Sequence, residues 1–257
     1  MTYTKSLVWF RRDLRHFDNA ALYQALKQSP SCYCVFVFDK TILQALPKRD
    51  RRVQFIHQSV QELREELAAI GTHLIVLYGD PTEEIPRLAA ELAIDAVFVN
   101  RDYEPAAIQR DQVVQQRLAS FNCQLIACKD QVIFEIDEVL SLAGKPFSVF
   151  TPYKNAWLKK LASETEGEPD FYFKPYPITK YAAHFAKHVA TEMPTLSAMG
   201  FESLDEQTFK LHGGMQAGAK LLDDFLTRID QYGDARDYPA IKGPSYLSVH
   251  LRFGTVS

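Results

Sequence analysis

The sequence predicts an α/β fold: a doubly wound, mostly parallel five-stranded sheet, followed by a linker and the beginning of an all-α domain. Two observations predict the sheet, the strand-like runs themselves and the helical stretches between them. Five short runs rich in β-branched and aromatic residues alternate with four longer stretches whose apolar residues recur at helical spacing. This alternation implies right-handed crossovers, which place helices on both faces of a mainly parallel sheet. A third observation, the change in composition after the last run, predicts the linker and the second domain.

The predicted strands begin close to the N-terminus and end near residue 128. They cover Ser6 to Phe10, Ser31 to Asp39, His73 to Tyr78, Ala96 to Asn100 and Gln124 to Cys128. The predicted helices between them cover Asn19 to Gln28, Arg51 to Ile70, Thr82 to Leu92 and Pro105 to Ser120. In the second of these helices, apolar residues three and four apart form one continuous stripe, which is typical of an amphipathic helix.

Residues at the helix ends agree with these boundaries. Asp18, Asp50 and Asp80 each stand just before a predicted helix, where a carboxylate accepts hydrogen bonds from unpaired backbone N–H groups. Gly71 follows the second helix and is expected to end it in the left-handed conformation. The α/β domain is therefore predicted to occupy residues 1–130.

The second half of the chain has a different character. Residues 131–212 are predicted to form a connecting helix, Phe150 to Ala162, and a linker rich in Glu, Pro and aromatic residues. Free linkers seldom carry so many aromatic residues, so we expect this one to lie against the folded domain. Residues 213–257 resume helical spacing from Gly214 to Tyr232 and are predicted to begin a helical domain. So short a segment cannot enclose a core of its own, which predicts a truncated chain.

Composition excludes several classes of protein. A net charge of -3 and a pI of about 6.2 give no overall attraction to a phosphate backbone, so any contact with nucleic acid must come from a local patch. The four cysteines, spaced C-x-C and C-x4-C in apolar runs, fit neither a zinc site nor a disulfide framework. No apolar stretch reaches the ~18 residues that span a bilayer, and the N-terminus has no signal-peptide core. We therefore expect a cytoplasmic protein.

Polar residues gather where ligands of open α/β sheets bind. The first strand leads into the run from Trp9 to Arg15, with three arginines, rather than into a glycine-rich phosphate loop. These arginines lie at the carboxyl edge of the sheet, so they predict either a site for an anionic or polar ring ligand or a set of ion pairs. Asp39, Arg52 and residues 100–104 are expected to reach the same edge and to outline a polar crevice.

Two other groups of polar residues leave their roles open. His184 and His188 are four residues apart but have no carboxylate or cysteine nearby, so we expect ordinary surface histidines and no metal site. Ser245 and Ser248 stand in a Gly-Pro-Ser turn that opens a helix. There, hydroxyl and N–H groups either hold phosphate oxygens or simply cap the helix.

Three blocks of the sequence resemble one family. The first runs from Val8 to Arg15, the second from Phe150 to Trp157, and the third combines Arg236 to Pro239 with Ser245 to Gly254. In this order, and spread over nearly the entire chain, they resemble blocks of the DNA photolyases and cryptochromes. The resemblance implies an N-terminal antenna domain, a long linker and a helical domain that binds FAD.

The resemblance also implies an activity for the intact protein, that of a deoxyribodipyrimidine photo-lyase. Light absorbed by an antenna pigment would pass to reduced FAD, which donates an electron to a cyclobutane pyrimidine dimer flipped out of damaged DNA. Carried over by position, Tyr232, Ser245, Leu247 and Ser248 match FAD contacts. Arg236 matches a contact to the DNA backbone, which would position the duplex rather than read its sequence. An ion pair with a neighbouring aspartate is the alternative role of this arginine.

The antenna site implied by the resemblance comprises Asp39, Arg52, Asp102 and Arg252. Folate-binding relatives carry Asn-Glu shortly after the fourth strand, where this chain has the alanines of residues 106–107. Alanine cannot hydrogen-bond a pterin, so deazaflavin or FMN is favoured over folate as the pigment. An empty site is the alternative.

The residues that carry out dimer splitting in this family lie beyond Ser257, so no catalytic residue is predicted within the chain. The chain alone is expected neither to hold FAD well nor to repair DNA. One alternative function is that of a cryptochrome-like blue-light photosensor, which signals to a protein partner. The other is a pigment-free α/β interaction module. We expect a monomer without membrane contact.

Overall fold

The computed structural model describes residues 1–164, 174–205 and 209–257. Within these ranges, five strands form one parallel sheet in the order β3-β2-β1-β4-β5. Three strands have the predicted bounds, β2 begins one residue later than predicted, and β3 both begins and ends one residue later. The α/β fold class is thereby confirmed. The strands are β1 (Ser6–Phe10), β2 (Cys32–Asp39), β3 (Leu74–Gly79), β4 (Ala96–Asn100) and β5 (Gln124–Cys128).

The helices of the described ranges include the five predicted for the first 164 residues and several short ones that were not predicted. Two 3-10 helices, Ile178–His184 and Ile229–Gln231, accompany them. The α-helices are α1 (Ala20–Gln28), α2 (Lys40–Leu43), α3 (Arg51–Ala69), α4 (Pro81–Leu92), α5 (Pro105–Ala119), α6 (Phe150–Glu164), α7 (Met215–Leu226), α8 (Tyr232–Ala235) and α9 (Ser248–Phe253).

Helices cover both faces of the sheet because successive strand residues point to opposite sides. On one face, α1 and α3 pack over residues such as Val8, Phe36 and Phe98. On the other face, α4 and α5 pack over residues such as Val35 and Val97. Strands that are buried on both faces must be apolar throughout, which explains why the strand runs in the sequence are nearly continuous in hydrophobicity.

The strand order reverses between β1 and β4, which leaves a crevice at the carboxyl ends of the strands. Asn100, the last residue of β4, is buried at this point. Its Nδ2 donates to Asp13 at 2.6 Å and to Asn19 at 2.9 Å, and its Oδ1 accepts from the backbone N–H of Ala21 at 2.8 Å. These bonds fix the loop after β1 to the end of β4 and so define one side of the crevice.

Two of the three predicted helix N-caps are confirmed. Asp50 and Asp80 each accept a hydrogen bond of 2.8 Å from the backbone N–H two residues ahead. The prediction for α1 was wrong by one residue, because Asn19 rather than Asp18 caps it. Asp18 has a φ of 42° and belongs to the turn that leads into the helix. Gly71 has a φ of 92° just after α3, as predicted.

The described part of the linker lies against the α/β domain, as its aromatic content predicted. The backbone N–H of Ala186 donates to the carbonyl of Cys32 at 2.8 Å, and Phe185 is buried. His184 and His188 are half-buried rather than ordinary surface residues, since each bonds to a backbone carbonyl of the α/β domain at 2.7 Å. Residues 165–173 and 206–208 of the predicted linker lie outside the described ranges.

The segment that leads into α7 is fastened to one side of α3. Gln58, Ser59 and Glu62 accept hydrogen bonds of 2.9, 2.9 and 3.0 Å from backbone N–H groups of residues 213–216. At Gly213 a Cβ would lie 2.2 Å from a backbone oxygen of α3, so only glycine permits this approach. The C-terminal segment therefore begins in direct contact with the α/β domain.

Asp50 is expected to stabilise the fold by about 1 kcal/mol as the N-cap of α3. Its hydrogen bond to the Arg52 guanidinium lowers the pKa of Asp50 in the folded chain. Stabilisation is therefore complete above the unfolded-state pKa, about 4, and is lost as the pH falls through the lower folded-state value. Urea unfolding should show that Asp50→Ala loses about 1 kcal/mol at neutral pH and less as the pH approaches 3.

The exposed carboxylate of Asp137 provides the control, since it lies outside the helices and strands. Asp137→Ala should change the free energy of unfolding by no more than about 0.5 kcal/mol. A loss for Asp50→Ala that is the same at both pH values would contradict the role assigned to its charge.

Two further properties bear on function. Among the helices of the described ranges, none combines the length and the hydrophobicity needed to cross a bilayer. Three or more potential metal-ligating side chains do not come together anywhere in residues 1–164, 174–205 or 209–257. The four cysteines are free thiols, and Cys32, Cys34 and Cys123 are buried.

Candidate functional site

A cleft of about 630 Å³ opens at the carboxyl edge of the sheet, beside the point where the strand order reverses. Side chains of β1, β2, α2, α3, α5 and α9 all contribute to its wall. The wall thus joins residues as far apart in sequence as Trp9 and Phe253. A volume of this size is typical of sites for small organic molecules and cofactors.

A connected set of ion pairs links the loop after β4 with α9. Arg12 Nη1 lies 3.2 Å from Asp102 Oδ1 and 3.1 Å from Glu104 Oε1. Arg252 Nη1 lies 2.6 Å from the same Glu104 oxygen. The hydrogen bond from Arg252, together with the charge of Arg12, lowers the pKa of Glu104. Asp102 is buried, whereas Glu104 stands at the solvent edge of the cleft.

Two more polar side chains reach the cleft from the starts of α2 and α3. Asp39 caps α2, since its Oδ1 accepts from the backbone N–H of Thr41 at 2.9 Å and from the Thr41 hydroxyl at 2.6 Å. Arg52 makes a two-pronged ion pair with Asp50, and 61% of its side chain is exposed. An exposed guanidinium in a surface pair can turn toward a ligand at little energetic cost.

The indole of Trp9 is a rigid part of the cleft wall. The side chain is buried, and the guanidinium carbons of Arg11 and Arg110 lie over its ring at 5.0 and 4.9 Å from the centroid. Asp111 pairs with both arginines, at 2.6 and 2.9 Å. Cation–π contacts and ion pairs of this kind hold the ring in one orientation.

The end of α9 docks directly on the loop after β1. The backbone N–H of Leu14 donates to the carbonyl of Phe253 at 3.1 Å. Gly254 follows with a φ of 62°, and a Cβ at this position would lie 2.3 Å from the carbonyl oxygen of Arg12. Glycine is therefore required both by the backbone conformation and by the close approach. Through this contact, Arg252 and Phe253 are placed in the cleft wall.

A buried ion pair supports the same contact. Arg15 Nη2 lies 2.8 Å from Asp130 Oδ2, and the two side chains are 5% and 2% exposed. The Nη1 of Arg15 also donates to the carbonyl of Gly254 at 3.3 Å. Burial, followed by the charge of Asp130, raises the pKa of the buried carboxyl group of Asp13. Arg15 thus supplies positive charge where two carboxyl groups are buried together.

The four residues predicted for the antenna site all line this cleft: Asp39, Arg52, Asp102 and Arg252. Ala106 and Ala107, the alanines that argued against a pterin, line it as well. For the arginines after β1, the sequence left two roles open, a ligand site or a set of ion pairs. Arg15 is held in a buried ion pair outside the cleft, whereas Arg11 and Arg12 are both paired and part of the cleft wall.

The residues predicted for FAD lie partly in this cleft and partly outside it. Ser248, the first residue of α9, lines the 630 Å³ cleft, whereas Tyr232, Ser245 and Leu247 lie outside its wall. The Ser245 hydroxyl accepts from the backbone N–H of Leu247 at 3.3 Å, and α9 has no side-chain N-cap. The assignment of these residues to FAD stays a prediction.

Arg236, predicted to contact DNA, is exposed over 53% of its side chain. Its Nε lies 3.7 Å from Asp237, and its guanidinium carbon lies 5.7 Å from the centroid of the Tyr232 ring. A surface pair at that distance contributes little to stability.

Sequence reasoning missed Trp9 and Arg110 as parts of the site. Trp9 is the fourth residue of a buried strand, where a large aromatic side chain is first expected to serve the core. Arg110 lies three residues after Ala107 on α5, so helical spacing alone could have placed both on one side of that helix.

A second hollow, of about 820 Å³, lies between α3 and residues 192–203 of the linker. Its polar groups hold the linker in place. Arg64 donates to the carbonyl of Thr191 at 2.7 Å, and His57 Nε2 lies 3.0 Å from the carbonyl of Pro194. Burial lowers the pKa of His57, which favours the neutral ring. We therefore regard the cleft at the sheet edge as the functional site.

Residues 6–170, well over half of the chain, match the family model for DNA photolyase. The chain belongs to the DNA photolyase family. The deoxyribodipyrimidine photo-lyase of a Synechococcus strain is 33% identical over 97% of this chain. This chain covers 51% of that protein, and more generally it spans about half the length of the curated photolyases that it matches.

Solved photolyases share the fold. A bacterial class III photolyase from Agrobacterium tumefaciens matches with a TM-score of 0.79 and 25% identity, over 100% of this chain and 52% of that one. An archaeal photolyase from Sulfolobus tokodaii, solved with two FAD molecules, matches with a TM-score of 0.71 and 26% identity. That match covers 99% of this chain and 53% of the archaeal one.

Proposed function

We propose that this chain is the antenna-bearing half of a photolyase and that the cleft at the sheet edge binds the light-harvesting pigment. The observation that carries the proposal is the convergence of Asp39, Arg52, Asp102 and Arg252, from four separate parts of the chain, on one cleft. That cleft lies where the strand order reverses, the usual ligand position in doubly wound folds.

The pigment proposed is a deazaflavin or FMN rather than a folate. Two alanines stand in the wall where a pterin would need hydrogen-bonding partners. A flavin-type ring instead needs a flat, partly apolar site with a few polar groups at its edges. Trp9 and Phe253 supply apolar surface, and Asp102 and Arg252 supply polar edges. The archaeal photolyase with two FAD molecules, described as implying a novel light-harvesting cofactor, supports a flavin-type pigment in this family.

For the intact protein we propose light-driven repair of cyclobutane pyrimidine dimers in damaged DNA, by a cytoplasmic monomer. In this proposal residues 1–130 form the antenna domain, residues 131–212 connect, and residues 213–257 begin the helical domain. Reduced FAD, when bound in the complete helical domain, supplies the electron that splits the dimer. Arg236 would contact the DNA backbone. The proposed FAD contacts within this chain are Tyr232, Ser245, Leu247 and Ser248.

Asp102→Asn is expected to weaken pigment binding about tenfold, because it removes a buried charge that pairs with Arg12 and that would accept hydrogen bonds from the edge of the ring. Arg52→Gln should also weaken binding. The measurement is a fluorescence titration of the purified 257-residue chain with a deazaflavin and with FMN. Circular dichroism of each variant should show that the fold is retained.

Asp137→Asn is the matched control, since this aspartate is exposed and does not line the cleft. Its affinity for both pigments should equal that of the unchanged chain. Saturable binding that is unaffected by Asp102→Asn and Arg52→Gln would place the pigment elsewhere. If neither pigment binds, the antenna function is refuted for this chain.

A further inference from the structure

We infer that His250 is a positioning residue that fixes α9 in the wall of the cleft, and that it does so only while its ring is uncharged. Its neighbours Val249, Arg252 and Phe253 line the cleft, whereas His250 does not. The imidazole is instead buried where α9 meets α3 and α7. Acid is therefore expected to loosen α9 and, with it, one side of the cleft.

The ring of His250 packs tightly between its neighbours. The residue is 0% exposed, and the ring of Phe55 on α3 stands edge-on to it, with 5.0 Å between the centroids. At Gly218 of α7, a Cβ would lie 3.0 Å from the Nδ1 of His250 and 2.5 Å from a methyl group of Val256. The backbone of α7 thus packs directly on the imidazole, and any displacement of the ring would disturb both helices.

In the described ranges, only one nitrogen of the ring has a hydrogen-bond partner. Nδ1 lies 2.7 Å from Thr255 Oγ1, and the Thr255 hydroxyl donates to the carbonyl of His250 at 3.4 Å. Because the hydroxyl has a single proton, Nδ1 must carry the ring hydrogen and donate to Oγ1. Nε2 is buried without a partner there and is left as a lone pair. This arrangement is that of one neutral tautomer.

A second proton would have to go to Nε2, for which the described residues offer no acceptor. The imidazolium would then be a buried charge without compensation. Burial accordingly lowers the pKa of His250. In the unfolded chain a histidine has a pKa of about 6.5, so the packing of α9 is fully stabilised above that pH and is weakened as the pH falls below it. At a pH of about 5.5, the ratio of packed to loosened α9 should fall by at most about tenfold.

The carboxyl groups around this contact do not explain a loss of packing in that pH range. Burial raises the pKa of Asp13, in the loop after β1, and of Glu62, on α3, so acid would strengthen the fold through these two groups. The pKa of Glu104, which pairs with Arg252 of α9, is lowered, so its contribution is lost only below a pH of about 4. Arg252 and Arg15, which bonds to the end of α9, do not titrate in this range.

Two other histidines respond to acid in the same sense as His250. Burial lowers the pKa of His16, in the loop after β1, and of His57, on α3. His57 faces the linker, so His16 is the residue that must be distinguished from His250 by substitution. On α7, the ionisable side chain closest in sequence to Gly218 is Lys220, which is exposed.

The test is hydrogen exchange of the 257-residue chain, followed by mass spectrometry at a pH of about 7.5 and of about 5.5, and corrected for the intrinsic pH dependence of exchange. The amides of Leu251 and Thr255, which donate to the carbonyls of Leu247 and His250, report on α9. Their protection is expected to be about tenfold lower at the acidic pH. The amides of β4, in the middle of the sheet, should keep their protection.

Two variants of His250 remove the titrating group in different ways. His250→Asn keeps a polar atom near the position of Nδ1, and His250→Phe keeps an aromatic ring against Phe55. In both variants the protection of α9 should no longer depend on pH, and circular dichroism should show that the fold is retained. His212→Gln is the matched control, since this histidine is exposed and precedes α7. His212→Gln and His16→Gln should both keep the pH dependence of the unaltered chain.

The consequence for pigment binding rests on the proposed function, whereas the packing of α9 does not. Protection of α9 that is equal at the two pH values would overturn the inference. It would also be overturned by an acid effect that survives in both His250 variants or that vanishes in His16→Gln. A pigment in the cleft should slow the exchange of α9, with 5-deazariboflavin as the deazaflavin probe. The expected pH dependence without any effect of 5-deazariboflavin would support the role of His250 and count against the proposed function.

Discussion

Replacing Arg15 by methionine is expected to destabilise the chain by about 3 to 5 kcal/mol, because it strips a buried carboxylate of its only close cationic partner in the described ion pairs. Asp130 would keep its charge at 2% exposure and would lie near Asp13, a second buried carboxyl group. Methionine replaces the aliphatic stem of arginine but not the guanidinium, so the loss reports the charge, its hydrogen bonds and the packing of the guanidinium together.

Urea unfolding gives the measurement, with Arg87→Met as the control. Arg87 pairs with Glu84 and Glu91 on the surface of α4, so its replacement should change the free energy of unfolding by less than about 1 kcal/mol. The double variant Arg15→Met with Asp130→Asn should be less destabilised than the sum of the two single variants, since the uncompensated charge is gone. A loss for Arg15→Met no larger than that for Arg87→Met would show that the buried pair is unimportant.

Gly254→Ala is expected to cost about 3 kcal/mol or more, and to weaken pigment binding as well. A left-handed φ of 62° accounts for about 1 to 2 kcal/mol of this in alanine. The remainder comes from collision, because the new Cβ would lie 2.3 Å from the carbonyl oxygen of Arg12 and 2.5 Å from the Cα of Asp13. Relief of the collision would move the end of α9, and with it Arg252, away from the cleft.

Gly71→Ala separates the two contributions. Gly71 also has a left-handed φ, of 92°, but no atom lies within 4 Å of the position of its Cβ. This variant should cost only about 1 to 2 kcal/mol and should leave pigment affinity unchanged. The two variants would be compared by urea unfolding and by titration with 5-deazariboflavin. If Gly254→Ala and Gly71→Ala lose the same stability and bind 5-deazariboflavin with the same affinity, the end of α9 is not tightly packed against the loop after β1.

Most of the α/β fold could be predicted because its signals are local. Parallel strands buried on both faces give continuous apolar runs, and α3 gives a single apolar stripe with a capping Asp50 and a terminal Gly71. The four-residue α2 was missed because so short a helix has no periodicity to read. The cap of α1 was misplaced because Asp18 and Asn19 are both good capping residues, and the turn geometry decides between them.

The candidate site was predictable only in part. The rule that strand ends share an edge, together with the family resemblance, indicated Asp39, Arg52, Asp102 and Arg252. Nothing local indicates that Glu104 is shared by two arginines from opposite ends of the chain. Contacts of this kind depend on how distant segments dock, and sequence spacing carries no information about them.

Residues of the sheet edge and of α9 together form the wall of the cleft. A ligand that fills the cleft contacts both parts, so its binding is coupled to the packing of α9 against the sheet edge. The factor by which packed α9 raises the affinity for the ligand equals the factor by which the ligand favours packed α9. An occupied cleft would therefore raise the melting temperature, and a loosened α9 would release its ligand before the sheet unfolds. The pigment, once bound, would thus stabilise the contact between the sheet edge and α9.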